Sequence, residues 1–111
     1  MSSATIGSFE LTVLLAVARL GDDAYGLAVR RDVSERTRRD YSVGAIYTTL
    51  DRLEKKGFVL SRMTDPTPTR GGRSRRQFMV TAPGQRTIRS AERVAKAVWA
   101  GVGSSINPET A

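Results

Sequence analysis

Apolar residues recur along this chain at two different spacings, and the change of spacing divides it. Phe9, Leu11, Val13, Leu14, Val17 and Leu20 cover most sides of a helical segment, which predicts a first helix that is largely buried. Ser8 stands as its N-cap, with Glu10 in the first turn. Gly21 ends it, and Asp22 or Asp23 caps the next helix. Tyr25, Leu27, Val29 and Val33 supply the inward side of a second helix over 24–38, ringed by Arg30, Arg31, Arg36, Arg38 and Arg39. Gly26 in its first turn costs about 1 kcal/mol relative to alanine, and close approach of another backbone would explain it. Val43, Ile46, Tyr47, Leu50 and Leu53 fall three or four residues apart, the stripe of a third helix. Ser42 caps that helix and Gly57 closes it as the residue just past the end.

Beyond Gly57 the period becomes extended. Residues 58–64 read as one strand and 75–81 as a second, with Phe78 and Val80 on one face and Gln77 and Met79 on the other. The intervening D-P-T-P-T-R-G-G-R-S is rich in residues that break regular structure, so the pair forms a hairpin with a long, arginine-tipped loop. Thr81 then caps a last helix that tolerates Pro83 in its first turn. Within it Ile88, Ala91, Ala95, Val98 and Val102 repeat at steps of three and four, a coiled-coil seam two heptads long, with Trp99 beside it. The expected fold is mostly α with a small β-hairpin: a winged helix-turn-helix of three helices and a two-stranded wing, plus a C-terminal dimerisation helix. Its divisions are a flexible arm over 1–7, the winged domain over 8–81, the dimerisation helix over 82–103 and a frayed tail over 104–111.

Charge sharpens this picture. Eighteen lysines and arginines against 11 acids give a net +7 and a pI near 10.8, which points to a polyanion, nucleic acid ahead of a membrane surface. A simple solubility charge is the competing reading, and clustering weighs against it. Arginines crowd residues 30–39 and 62–76, and the second stretch holds five arginines against one aspartate. The absence of cysteine and histidine excludes disulfides, thiolate nucleophiles, the usual zinc sets and a histidine base. Neither G-G-R-S nor T-A-P-G is a phosphate-binding loop, because the lysine is missing, and the adjacent Asp22 and Asp23 are explained by capping. The expectation is a non-enzyme without cofactor. No apolar run approaches the roughly 20 residues of a membrane helix and no secretory signal opens the chain, so a soluble cytoplasmic protein is expected.

The outward side of the third helix carries the functional reading. It is bare at its start, with Ser42, Gly44, Ala45, Thr48 and Thr49, and basic at its end, with Arg52, Lys55 and Lys56. A helix lying in a major groove roughly 12 Å wide must be slim where it meets bases. Gly44 and Ala45 permit close approach. Thr48 and Thr49 offer hydroxyls and methyls, and Arg52 reaches guanine or phosphate. Lys55 and Lys56 suit either phosphate or the helix dipole, and the Tyr47 hydroxyl either phosphate or the core boundary. In the wing, Arg70, Arg73, Arg75 and Arg76 are the candidate contacts, with Gly71 and Gly72 thinning the tip. A protein-interaction module would instead show an exposed apolar patch on this helix, which Thr48, Thr49 and Arg52 oppose.

The segments A-Y-G at 24–26, G-A-I-Y-T-T-L-D-R-L-E-K-K-G at 44–57 and G-G-R-S-R-R-Q-F-M-V-T-A-P-G at 71–84 resemble the PadR family of bacterial transcriptional regulators. The likeness runs from about Ile6 to Val102. It implies a homodimeric repressor on a palindromic operator of double-stranded DNA, cytoplasmic and nucleoid-associated. On it, Gly44, Tyr47, Leu50, Leu53, Glu54 and Gly57 fall on the recognition-helix signature, with Tyr47 on DNA and Leu50 and Leu53 in the core. Thr48 departs from it, since the family often has proline there. The short chain looks like the subfamily whose single last helix dimerises, through Ile88, Ala91, Ala95, Val98, Trp99 and Val102. Effectors of such proteins include small aromatic molecules near the dimer helices, which makes Trp99 a candidate effector contact, with dimer packing the simpler role. A winged-helix regulator of the multiple-antibiotic-resistance type shares the same physics with another dimer geometry.

Overall fold

Three helices converge on one apolar centre, and a hairpin closes it from the side. The structure, a computed structural model, describes residues 6–64 and 75–105. Helix α1 spans Ser8–Leu20, a 3-10 turn Gly21–Asp23, α2 Gly26–Thr37 and α3 Val43–Lys55. Strands β1 (Val59–Met63) and β2 (Arg76–Val80) follow, then α4 (Ala82–Trp99) and a short α5 (Val102–Ser105). This is the expected winged-helix arrangement. Val13, Leu14 and Val17 of α1, Val29 and Val33 of α2, Ile46, Leu50 and Leu53 of α3, and Val59 and Phe78 of the hairpin are fully buried together. Each such side chain contributes about 1.5–3 kcal/mol by leaving water.

The ends of α3 follow from local chemistry. Ser42 Oγ accepts a hydrogen bond from the Ala45 N–H at 3.0 Å. At the other end Gly57 has φ 81°, and the N–H groups of Gly57 and Phe58 donate back to the carbonyls of Glu54 and Leu53. That is the Schellman closure, with buried Phe58 and Leu53 as its apolar clasp. Thr81 caps α4 by accepting from the Gly84 N–H at 3.0 Å while its own hydroxyl donates to the Gly57 carbonyl at 2.6 Å.

Elsewhere the caps differ from expectation. Gly7, not Ser8, precedes the first helical residue of α1, and Glu10 reaches back to accept the Gly7 N–H at 2.8 Å. Asp22 and Asp23 lie in the 3-10 turn rather than capping α2, whose N-cap is the extended Tyr25. Tyr25 is extended because it pairs with Gln77, and the Phe78 N–H donates to the Ala24 carbonyl at 2.8 Å. The link between α1 and α2 thus adds a one-residue third strand to the wing. Gln77 is buried as a result, its Nε2 donating to the Asp22 carbonyl at 2.6 Å and its Oε1 accepting from Arg62 Nε at 2.9 Å.

Three further expectations change. Leu27 and Val43, read as inward, are 60% and 41% exposed. Gly26 makes room for the Tyr47 ring rather than for a backbone, whereas Gly84 lies against the Phe58 carbonyl, where a methyl has no space. The last helix stops at Trp99, and Gly101 at φ 80° separates it from α5, which carries Val102.

Candidate nucleic-acid interface

Because α3 packs through Ile46, Leu50 and Leu53, its opposite side faces solvent from end to end. Ser42, Gly44, Thr48, Arg52 and Lys55 are exposed along it, and Ala45 and Tyr47 are half-buried at its edge. Among the described residues nothing lies within 4 Å of where a side chain on Gly44 would begin. The Ser42 oxygen is occupied as an acceptor, but its hydroxyl hydrogen remains available to a phosphate. Arg52 and Lys55 make no side-chain hydrogen bond or ion pair among the described residues. Tyr47 spans the space between Gly26 and Phe78, its ring centroid 6.4 Å from that of Phe78.

Three residues read as contacts prove to be committed elsewhere. Thr49 is buried at 5% exposure, and its hydroxyl donates to the Ala45 carbonyl at 2.9 Å; the apolar stripe is wider than its hydrophobic residues suggested. Lys56 Nζ pairs with Glu10 at 2.7 Å, tying the end of α3 to α1. That pair and the Gly7 N–H hold the Glu10 carboxyl below its ordinary value, the backbone hydrogen bond more than the lysine. Arg76 faces inward along the wing base, with Nη2 on Glu54 Oε1 at 2.6 Å, Nη1 on Asp51 at 3.1 Å and Nε on Ser61 Oγ at 3.1 Å.

Arg75 behaves otherwise. Its guanidinium lies over the Tyr25 ring, 3.9 Å from the centroid, and the residue is exposed. An aromatic platform fixes the direction of the cation and leaves its N–H donors open. Arg70 and Arg73, with Gly71 and Gly72, lie outside the described residues. In the first arginine cluster, Arg30 is spent on the Tyr41 carbonyl and Asp40, and Arg36 on Asp32, while Arg31, Arg38 and Arg39 are exposed. Two participants escaped the sequence reading: Asp51, which falls on the exposed stripe between Thr48 and Lys55, and Tyr25 as the platform for Arg75. Helical spacing alone marked position 51.

Sequence comparison decides what this surface belongs to. The model of the transcriptional regulator PadR-like family matches residues 14–90. The chain belongs to the PadR-like family. It is a DNA-binding transcription regulator. No curated protein matches it. Among solved structures it is similar to a PadR-like transcription factor from Bacteroides fragilis (19% identity over 88% of this chain and 89% of that one, TM-score 0.69). It is similar also to a PadR family regulator from Eggerthella lenta (24%, 90% and 88%, TM-score 0.64) and to RosR of H. salinarum (18%, 90% and 83%, TM-score 0.69). These likenesses establish the fold that PadR-like regulators share.

On α4 of this PadR-like chain, Ile88 and Ala91 are half-buried against the body, while Ala95, Val98 and Trp99 are exposed and Val102 is half-buried on α5. No helix among the described residues is long and apolar enough to cross a membrane.

Proposed function

We propose that this regulator is a homodimeric repressor that reads a palindromic operator with α3 in the major groove and the wing beside it. The observation that carries this reading is the outward stripe of α3, short and polar at its start and followed by Arg52 and Lys55, cations in no ion pair among the described residues. Gly44 and Ala45 bring the helix axis close to base edges, Thr48 touches them, Arg52 reaches a phosphate beside them, and Tyr47 flanks them. Ser42, Lys55 and Arg75, with the wing-tip Arg70 and Arg73, take phosphates. Such contacts set register and supply most of the affinity, while the few base contacts supply selectivity. An exposed apolar patch, as a protein-docking helix would need, is absent from this stripe apart from Val43 among the described residues.

The dimer rests on α4. Val94, Val98 and Trp99 are 54%, 69% and 72% exposed, an apolar edge that a second copy of the same helix would cover. Beside it a groove of about 330 Å³ between α1 and α4 is lined by Leu11, Leu15, Ile88, Ala91, Glu92 and Ala95. Trp99 is assigned to packing across this interface rather than to a small aromatic effector. Occupancy of an operator by such a dimer excludes other proteins from the same duplex in the bacterial cytoplasm. The family is one of transcription regulators, which points away from catalysis.

The test is Val98→Asp. Sedimentation equilibrium should give monomers where the unaltered chain is dimeric, and tight binding to an operator recovered from genomic DNA should disappear. The recovered operators should carry half-sites about one helical turn, or a multiple of it, apart. An unchanged dimer places the interface elsewhere.

A further inference from the structure

Asp51 is out of place by charge. The chain carries +7, and the other charged residues on the outward stripe of α3, Arg52 and Lys55, are basic. A carboxylate turned toward a duplex weakens the attraction to phosphate, so it must be offset by something else.

Its surroundings show how it is held. Arg76 reaches from β2 and contacts Glu54 Oε1, Ser61 Oγ and Asp51 Oδ1, while the Ser61 hydroxyl donates to Glu54 Oε2 at 2.9 Å. Glu54 therefore has both carboxylate oxygens occupied. Among the described residues Asp51 has only Oδ1 engaged, at 3.1 Å, and its side chain is 53% exposed against 33% for Glu54. Among the described residues Asp51 Oδ2 has no partner. Among the described residues one guanidinium faces two carboxylates, so one of them lacks a cation of its own, and Asp51 is the member nearer solvent. An ion pair serving only to tie the wing to α3 was already complete with Glu54.

We propose that Asp51 is a specificity-determining residue that accepts a hydrogen bond from the exocyclic amino group of a cytosine in the major groove. Arg76 is the positioning residue that fixes its direction. This rests on the reading of α3 as the helix that meets bases. Cytosine presents an amino donor there; guanine presents only acceptors, and thymine an acceptor and a methyl, so a carboxylate repels the first and finds no donor on the second. Adenine offers an amino group beside an acceptor nitrogen, a pattern that suits an amide better than a carboxylate.

Selection from a random duplex library by the full chain, the Asp51→Ala variant and the Asp51→Asn variant tests this. The unaltered chain should enrich one cytosine per half-site about tenfold over the other bases. Asp51→Ala should flatten that position and bind mixed-sequence duplex more tightly, because a negative charge has gone. Asp51→Asn should move the preference toward adenine. Variants that enrich the same bases to the same extent, with or without a lower melting temperature, overturn the assignment and leave Asp51 a strut. If the unaltered chain enriches no sequence, operator binding fails and this inference falls with it.

Discussion

Gly44 and Gly84 both sit in the first turn of a helix, yet a methyl added to each should act in opposite directions. Among the described residues there is open space around Gly44, whereas at Gly84 a new Cβ overlaps the Phe58 carbonyl and comes within 2.8 Å of Val80 Cγ1. A backbone carbonyl has nowhere to go, so Gly84→Ala should lower stability by about 1–3 kcal/mol in urea denaturation. Gly44→Ala should instead raise it by up to about 1 kcal/mol, since alanine loses less backbone freedom in a helix. The same methyl should weaken operator affinity by about 1–2 kcal/mol, the scale of a single lost contact, because it stands where the groove must come close. A variant more stable and equally tight on DNA would mean that α3 does not present Gly44 to the duplex.

At the scale of elements, α1 and α3 are joined outside the core by the Glu10–Lys56 pair, whose carboxylate side chain is only 13% exposed. With the Gly7 N–H as main cause and Lys56 second, the Glu10 carboxyl titrates below its ordinary 4.5. A carboxyl whose folded value is depressed contributes stability in full above its unfolded value, and that contribution is lost as the pH falls through the folded one. Glu10→Gln should therefore lower stability by about 1–3 kcal/mol near neutrality, and the gap from the unaltered chain should close as the pH drops below about 4.5. Thermal melts at a series of pH values check it, and a gap independent of pH would assign the loss to packing. This tether also shows what the sequence discloses and what it hides. The termini of α3 were legible because Ser42 and Gly57 act within a few residues, and so was its exposed stripe, which needs only helical spacing. The internal partners of Lys56 and Arg76 were not legible because they lie 46 and 22 residues away, and no local pattern carries that information. Thr49 was misread for a neighbouring reason: a threonine whose hydroxyl is satisfied by the carbonyl four residues back is buried at little cost. The extended link at Tyr25 is a single residue long, too short to show a period.

Over the whole molecule, net charge and usable charge are different quantities. Arg19 and Arg36 are both bound to Asp32, Arg30 to Asp40, Lys56 to Glu10 and Arg76 to Asp51 and Glu54, and none of these can neutralise a phosphate without first breaking an internal pair. Arg52, Lys55 and Arg75 have no such commitment among the described residues. Each phosphate neutralised on duplex DNA steepens the dependence of log affinity on log salt by about 0.9. A dimer presenting these three cations on each half should therefore show a slope of about −5 before Arg70 and Arg73 add theirs. Arg52→Ala and Arg75→Ala should each flatten the slope, by about 2 for a symmetric dimer. Lys56→Ala should leave it nearly unchanged while lowering the melting temperature, because its charge is directed at Glu10. Titrations of a fixed operator between low and moderate salt read all three. If Lys56→Ala flattens the slope as much as Arg75→Ala does, the internal pair opens on binding, and the division between structural and DNA-facing cations drawn from the free protein does not survive contact with the duplex.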